Sequence, residues 1–291
     1  MTHIVLDYDI ENVSPDIAKE IFDILKKELV VIIKRQNTDP KYFSRLIYSM
    51  SHIANWQQLT WDVDGNYIGS PEEYPNPWEQ NIFPVQRVTG EKRNEDYTGI
   101  FPVGKLDWHA NLNGPTRADG VALQGYRGVE GTITSWLNTS VALEQMPEEL
   151  KQKLEGVYCS YYYNMENWAD VPEKQLAYMR QQQEHYHMKI LQENVAGTKG
   201  MYFYTNNDLR ICEKDETLYE ELKEYLFQEQ FMYHHEWEVG DIVLSDQLLT
   251  LHKRPIRSNE IFEKRVLHRL TFPISNADNP NFILERNKYE N

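Results

Sequence analysis

The chain has 291 residues, 41% of them hydrophobic and 26% charged, the balance of a globular protein with ample core. Its formal net charge of -15 is spread along the sequence and excludes a general binder of polyanions, which needs clustered Lys and Arg. No apolar stretch reaches membrane-spanning length, and Met1 to Glu11 lack the basic start and apolar run of a signal peptide. Nineteen tyrosines and seven tryptophans favour a β-rich core or a pocket with polar-tipped walls. Cys159 and Cys212 are the only cysteines; in so long a chain they read more simply as reduced thiols of a cytoplasmic protein than as a disulfide.

Leu6 to Asp9 is a short strand candidate. Ser14-Pro15-Asp16 starts a helix, with Ser as N-cap and Pro in the first turn, and Ile17, Ile21, Ile24 and Leu25 then recur at helical spacing. Leu29 to Ile33 is a continuous run rich in β-branched residues, most simply a buried strand. Asp39-Pro40 begins a second helix, with Phe43, Leu46, Ile47 and Met50 on one side. Residues 55–82 are rich in Trp, Pro, Gly and Asn without a period, and read as a long loop or lid. Val85 to Val88 alternates like a strand. A turn at Asn113-Gly114-Pro115 separates the Trp108-His109 segment from a strand at Val121 to Tyr126.

Gly128 to Thr132 turns again before a strand at Ile133 to Trp136, and Leu143 to Leu154 has helical spacing. Val157 to Tyr163 and Met201 to Tyr204 read as strands; between them lies a polar stretch with a candidate helix at Glu173 to Arg180. Glu216 to Phe231 is an amphipathic helix, Tyr233 to Trp237 alternates, Gly240-Asp241 turns, and Ile242 to Leu244 and Val266 to Phe272 are strands. Many short strands and a few helices predict a mainly β fold, a β-sandwich or jelly roll with helices packed outside, over a single domain 1–291.

One constellation stands out. His109 lies two residues before Asn111, His252 ends the Gly240-Asp241 to His252 block, and Arg265 and Arg269 follow. Two imidazoles and one oxygen ligand leave three positions open on iron, enough for a bidentate keto acid and oxygen. These residues, with the Ser14 helix and the strand after it, Gly131-Thr132, the Met146-Pro147-Glu148-Glu149-Leu150 helix and Arg265-Val266-Leu267-His268-Arg269, resemble the taurine dioxygenase-like, iron(II)- and 2-oxoglutarate-dependent dioxygenases. The resemblance runs over most of the chain. It implies a double-stranded β-helix with His109 and His252 as ligands to Fe(II) and the third ligand position at Asn111. It also implies 2-oxoglutarate held by Arg265 and Thr132, with Arg269 near the cosubstrate or an anionic substrate. The expected partners are a small molecule and O2, with neither nucleic acid nor membrane, and a homo-oligomer is compatible with the sequence.

Asn111 leaves alternatives open, because a carboxamide does not neutralise metal charge as a carboxylate does. It is a neutral third ligand in an active hydroxylase, or a neighbour of a vacant position with altered chemistry, or the mark of a binding protein that has kept the fold and lost iron chemistry. Asp107 and Asp119 lack ligand spacing. His185, His187, His234 and His235 read as solvated or structural, His268 as part of the last strand, Asp246 as structural, and Lys253 and Arg254 as solvated.

Overall fold

The computed structural model describes residues 2–51, 85–102, 104, 106–111, 119–161, 186–203, 210–211, 216–255 and 259–275. The candidate lid at 55–82, the turn at 113–115, the helix at 173–180, His185, the side chain of His187 and Cys212 lie outside them.

The first helix, α1 (Pro15–Glu28), begins as its sequence dictates: Ser14 Oγ accepts the Ile17 N–H at 3.3 Å and Pro15 opens the first turn. It ends at Leu29, which takes the left-handed conformation usually given to glycine (φ 67°), and the Leu29 N–H closes on the Leu25 carbonyl. Burial of the Leu29 side chain offsets that strain. The second helix, α2 (Pro40–Met50), has Asp39 as its cap.

Two sheets follow from the alternating strands. The larger has six strands: β1 (Ile4–Leu6), β2 (Val30–Ile33), β3 (Gln86–Val88), β7 (Gly120–Arg127), β15 (Ile242–Asp246) and β17 (Val266–Phe272). Their order is β1-β2-β15-β7-β17-β3. The smaller is made of β6 (Leu106–His109), β8 (Ile133–Asn138), β14 (Met232–Glu236) and β16 (Thr250–Arg254), in the order β14-β8-β16-β6. Three smaller sheets are β4 (Lys92–Arg93) with β5 (Asp96–Tyr97), β9 (Tyr158–Tyr161) between β10 (Tyr186–Lys189) and β13 (Arg210–Ile211), and β11 (Leu191–Glu193) with β12 (Lys199–Met201).

The run at 30–33 is buried on both faces, and its two faces serve different cores. Val30 and Ile32 pack with Val121, Leu123, Trp136 and Leu267. Val31 and Ile33 pack with Ile21, Leu25, Phe43 and Leu46 of α1 and α2. A third core covers the outside of the smaller sheet. There Trp108, Leu137 and Leu251 meet α3 (Thr139–Gln145), α4 (Glu148–Leu154) and α5 (Glu216–Leu226). The result is the predicted jelly roll with peripheral helices.

Several elements differ from the sequence expectation. The helix expected over 143–154 is two, α3 and α4. Pro147 supplies no N–H, and Met146 before it is extended (φ -65°, ψ 137°), as a residue preceding proline prefers. The long helix expected to Phe231 stops at Leu226, with a single 3-10 turn at Glu229–Phe231 after it. The first strand lies at Ile4–Leu6, ahead of the expected Leu6 to Asp9, because it pairs in parallel with Val31 to Ile33. Strand β16 and the short helix α6 (Asn259–Lys264) are additional.

The turn into β15 depends on one glycine. Gly240 has φ +87°, and a Cβ there would sit 2.2 Å from the Gln36 carbonyl oxygen. Beside it, buried Asp241 accepts from Lys34 Nζ at 2.6 Å and from the Arg35 N–H at 3.1 Å, tying the end of β2 to the turn. Gly240→Ala is expected to destabilise the fold by about 3 kcal/mol, combining left-handed strain with an overlap that backbone must absorb. Chemical denaturation reads this directly; an unchanged midpoint would show that the turn relaxes freely.

Candidate active site

The inner faces of the two sheets line a partly open pocket. From the smaller sheet come His109 at the end of β6, Thr134 on β8 and His252 and Arg254 on β16. From the larger come Leu123 on β7 and Leu267 and Arg269 on β17, with Arg265 just before that strand. Val88, Phe101 and Leu106 complete an apolar wall. A wall of this kind limits water around whatever polar groups converge inside.

The register of β16 against β6 places His252 directly across from His109. Their ring centroids are 4.2 Å apart. A one-residue irregularity follows, so Arg254 pairs with Leu106. His109 Nδ1 lies 2.6 Å from the Asp107 carbonyl oxygen, so it carries the hydrogen and leaves Nε2 as the lone-pair nitrogen. His252 Nε2 lies 3.2 Å from Asn111 Nδ2, and His252 Nδ1 is buried without a hydrogen-bond partner. Burial pushes His109 down to about 4 and His252 well below the ordinary histidine range, and nearby arginines add to both shifts. Both rings are neutral at pH 7, the form that binds metal.

Asn111 lies within the same group. Its N–H donates to Gln247 Oε1 at 2.9 Å, and Gln247 Nε2 is fixed in turn by Ser245 Oγ at 2.8 Å. Gln247 therefore places Asn111, a role its sequence position does not announce. The carboxamide's oxygen and nitrogen are interchangeable by a flip, and the flip would turn the oxygen toward His252. Two imidazoles and an amide oxygen suit a divalent first-row metal. Among the described residues no three His, Cys, Asp or Glu side chains gather as a metal cluster. Asp119 does not supply the missing carboxylate: it accepts from the Ile274 N–H at 2.6 Å and from the Ser275 N–H at 2.9 Å. Asp246 holds the next turn, accepting from the Leu248 and Leu249 N–H groups.

Three arginines line the pocket, Arg265 and Arg269 across from the histidines and Arg254 on the strand of His252. Arg265 is fully buried, its Nε and Nη2 have no hydrogen-bond partner, and its guanidinium lies 5.0 Å from the Phe262 ring centroid. Burial pulls its pKa down to about 10, which still leaves it charged at pH 7. A buried cation without a counter-anion is costly, and a guanidinium fork matches a carboxylate bidentately. Arg269 donates to Gln86 Oε1. Arg254, which the sequence reads as solvated, is buried: it donates to the carbonyls of Gly104 (3.0 Å) and Phe101 (2.6 Å) and covers the other reach of Phe262 at 4.5 Å. Lys253, one residue earlier and on the opposite side, sits over Trp108 at 4.4 Å. Arg265, Arg269, His109, Asn111 and His252 thus converge.

Thr132 does not join them. It closes the Val129–Thr132 turn, its N–H and its hydroxyl both donating to the Val129 carbonyl at 3.0 and 2.6 Å. The threonine that lines the pocket is Thr134, whose Oγ1 accepts from Trp237 Nε1 at 2.9 Å and keeps its own hydrogen for a ligand. The strand's period of two could have found it, because Thr134 shares a face with Trp136, the cross-strand partner of His252. A larger open groove beside Arg87 and Arg127 offers no comparable cation: Glu91 accepts from both, at 2.6 and 2.7 Å.

The sequence model of the family described as "Taurine catabolism dioxygenase TauD, TfdA family" matches residues 3–271. A pentalenolactone F synthase of Streptomyces avermitilis is 25% identical over 278 residues, 87% of this chain and 84% of that protein. Among solved structures, AAD-2 in complex with Mn(II) and N-oxalylglycine has a TM-score of 0.67 at 15% identity, covering 94% of both chains. A taurine dioxygenase from Burkholderia xenovorans has a TM-score of 0.64 at 17% identity, covering 93% of this chain and 85% of that one. At such identities the solved structures speak for the fold alone.

Proposed function

The chain belongs to the taurine catabolism dioxygenase TauD, TfdA family, and from that premise we infer that it is an iron(II)- and 2-oxoglutarate-dependent dioxygenase acting on a small molecule with O2 as co-reactant. We propose that His109, His252 and Asn111 hold the iron, and that Arg265 and Thr134 hold the distal carboxylate of 2-oxoglutarate. The observation that carries the assignment is the unpartnered guanidinium of Arg265, buried opposite two neutral histidines that face each other.

When bound, iron and the keto acid supply the oxidising chemistry: 2-oxoglutarate is converted to succinate and carbon dioxide, and one atom of O2 enters the substrate. The chain's own residues do the rest. The Asp107 carbonyl fixes the tautomer of His109, and Gln247 sets the position of Asn111. The Arg265 fork sets the direction of the diacid. Val88, Leu106, Leu123 and Leu267 keep water from the reacting end. Arg269 favours a substrate, or a cosubstrate end, that carries negative charge. The two cysteines support a cytoplasmic setting. No helix among the described residues is long and apolar enough to cross a membrane.

The deciding experiment is an anaerobic titration of the apoprotein with Fe(II) and then 2-oxoglutarate, watching for the visible charge-transfer band of the chelate. Its appearance is expected. Its absence from a folded protein with ample iron would end the dioxygenase reading. In the same assay Asn111→Asp should tighten Fe(II) by about tenfold or more, because a carboxylate neutralises charge that a carboxamide leaves. No gain would place Asn111 away from the metal.

A further inference from the structure

The three residues proposed to face the metal offer no carboxylate: two imidazoles and a carboxamide. The described residues lining the pocket include no Asp and no Glu, while Arg254, Arg265 and Arg269 contribute fixed positive charge. Among these residues a dication arriving alone meets like charge and no carboxylate, whereas a dicarboxylate meets a buried, unpartnered guanidinium fork.

We propose that this pocket binds the dicarboxylate before the metal and without it, and that the bound dicarboxylate supplies the negative charge that Asn111 does not. Metal and diacid then bind with positive coupling that has two sources. One is chelation through the keto oxygen. The other is charge alone, and it operates for a diacid that lacks the keto group. Because coupling is reciprocal, whatever factor the diacid adds to metal affinity the metal adds to diacid affinity. Burial leaves Arg265 charged at neutral pH, so the anion site exists throughout the working range. The proposal rests on the reading of this pocket as the iron and 2-oxoglutarate site, and it concerns the order and origin of binding there.

The two deciding measurements use the wild-type full chain, so neither depends on a variant folding. Metal-free protein, kept in chelator, is titrated with 2-oxoglutarate and with glutarate by calorimetry. Glutarate has the same two carboxylates and no keto oxygen. Both are expected to bind, with dissociation constants within about tenfold of each other, and to weaken as salt is raised. Mn(II) binding is then followed by the loss of the free-ion paramagnetic resonance signal, with and without saturating glutarate. A gain of at least about tenfold in Mn(II) affinity is expected with glutarate, and a larger gain with 2-oxoglutarate. In Asn111→Asp the glutarate-dependent gain should fall below about threefold, because the carboxylate is then built in.

If 2-oxoglutarate binds only after Mn(II), or if glutarate leaves Mn(II) affinity unchanged, the metal-independent anion site is refuted while the dioxygenase reading stands. If 2-oxoglutarate fails to bind even with Mn(II) present, the cosubstrate assignment falls and takes this inference with it.

Discussion

His252→Ala is expected to lose metal: Mn(II) or Fe(II) affinity should fall by more than about a hundredfold, since merely disturbing the neighbours of a ligand costs 10–100-fold. Turnover should fall with it. His252 is buried, its ring meets His109 at 4.2 Å, and its Nε2 faces Asn111. Without it the described residues of the proposed metal site retain one imidazole and one carboxamide, too few donors to hold a divalent ion against water. The ring also packs near Trp136, with centroids 6.4 Å apart, so the variant carries a cavity and a stability cost of about 1–3 kcal/mol. Metal content must therefore be read on protein whose fold is verified by circular dichroism and a melting curve. Undiminished metal binding in folded His252→Ala would remove this histidine from the site.

Arg265→Met should separate binding from stability. Losing one partner of a buried, hydrogen-bonded charge pair costs about 2–5 kcal/mol, so 2-oxoglutarate should bind about thirtyfold to several thousandfold more weakly. The metal-free variant, by contrast, is expected to melt at or above wild type. In the ligand-free protein the guanidinium is a buried charge without a hydrogen-bond partner at Nε and Nη2, and an apolar side chain of similar length relieves that desolvation. The cation–π contact with Phe262, about 0.5–2 kcal/mol, works in the other direction and sets the limit of the gain. Arg265→Lys should recover part of the affinity, since it restores charge without the fork. Undiminished affinity for 2-oxoglutarate in Arg265→Met would sink the assignment of this arginine. A variant that loses affinity only because it unfolds would be recognised by its melt.

Much of this arrangement was legible before any coordinates. The period of the apolar residues marks α1, α2 and the last strand, and the Ser14-Pro15 and Asp39-Pro40 pairs mark both helix starts. His109 and His252 are 143 positions apart, yet their residue types and the arginines that follow assign them to one place, and strand pairing brings them together. What was hidden depends on where a turn ends and a short strand begins, and on which polar groups the fold buries. Thr132 and Thr134 differ by one strand period, and the turn from Gly128 captures the first through the Val129 carbonyl. Arg254 reads as a surface cation until Phe101 and Gly104 supply the carbonyls that allow its burial. Strand β16 reads Thr-Leu-His-Lys-Arg directly after Leu248-Leu249, with no apolar alternation to reveal it. Pro147 is the opposite case, a break written openly in the sequence and overridden by the helical spacing of its neighbours.

The two histidines belong to the smaller sheet, whereas Arg265 and Arg269 stand at or in β17 of the larger. Facing sheets keep a separation of roughly 10 Å, fixed by side chains such as Trp136, Leu123 and Leu267 that fill the space between them. The pocket is therefore a gauge of molecular length. On the proposed assignment, a keto diacid one methylene shorter would not reach both walls at once, and one a methylene longer would have to buckle. Chain-length selectivity is in this sense a property of the hydrophobic core, and a substitution that shifts the sheets, far from any polar group in the pocket, would change which diacid the protein prefers.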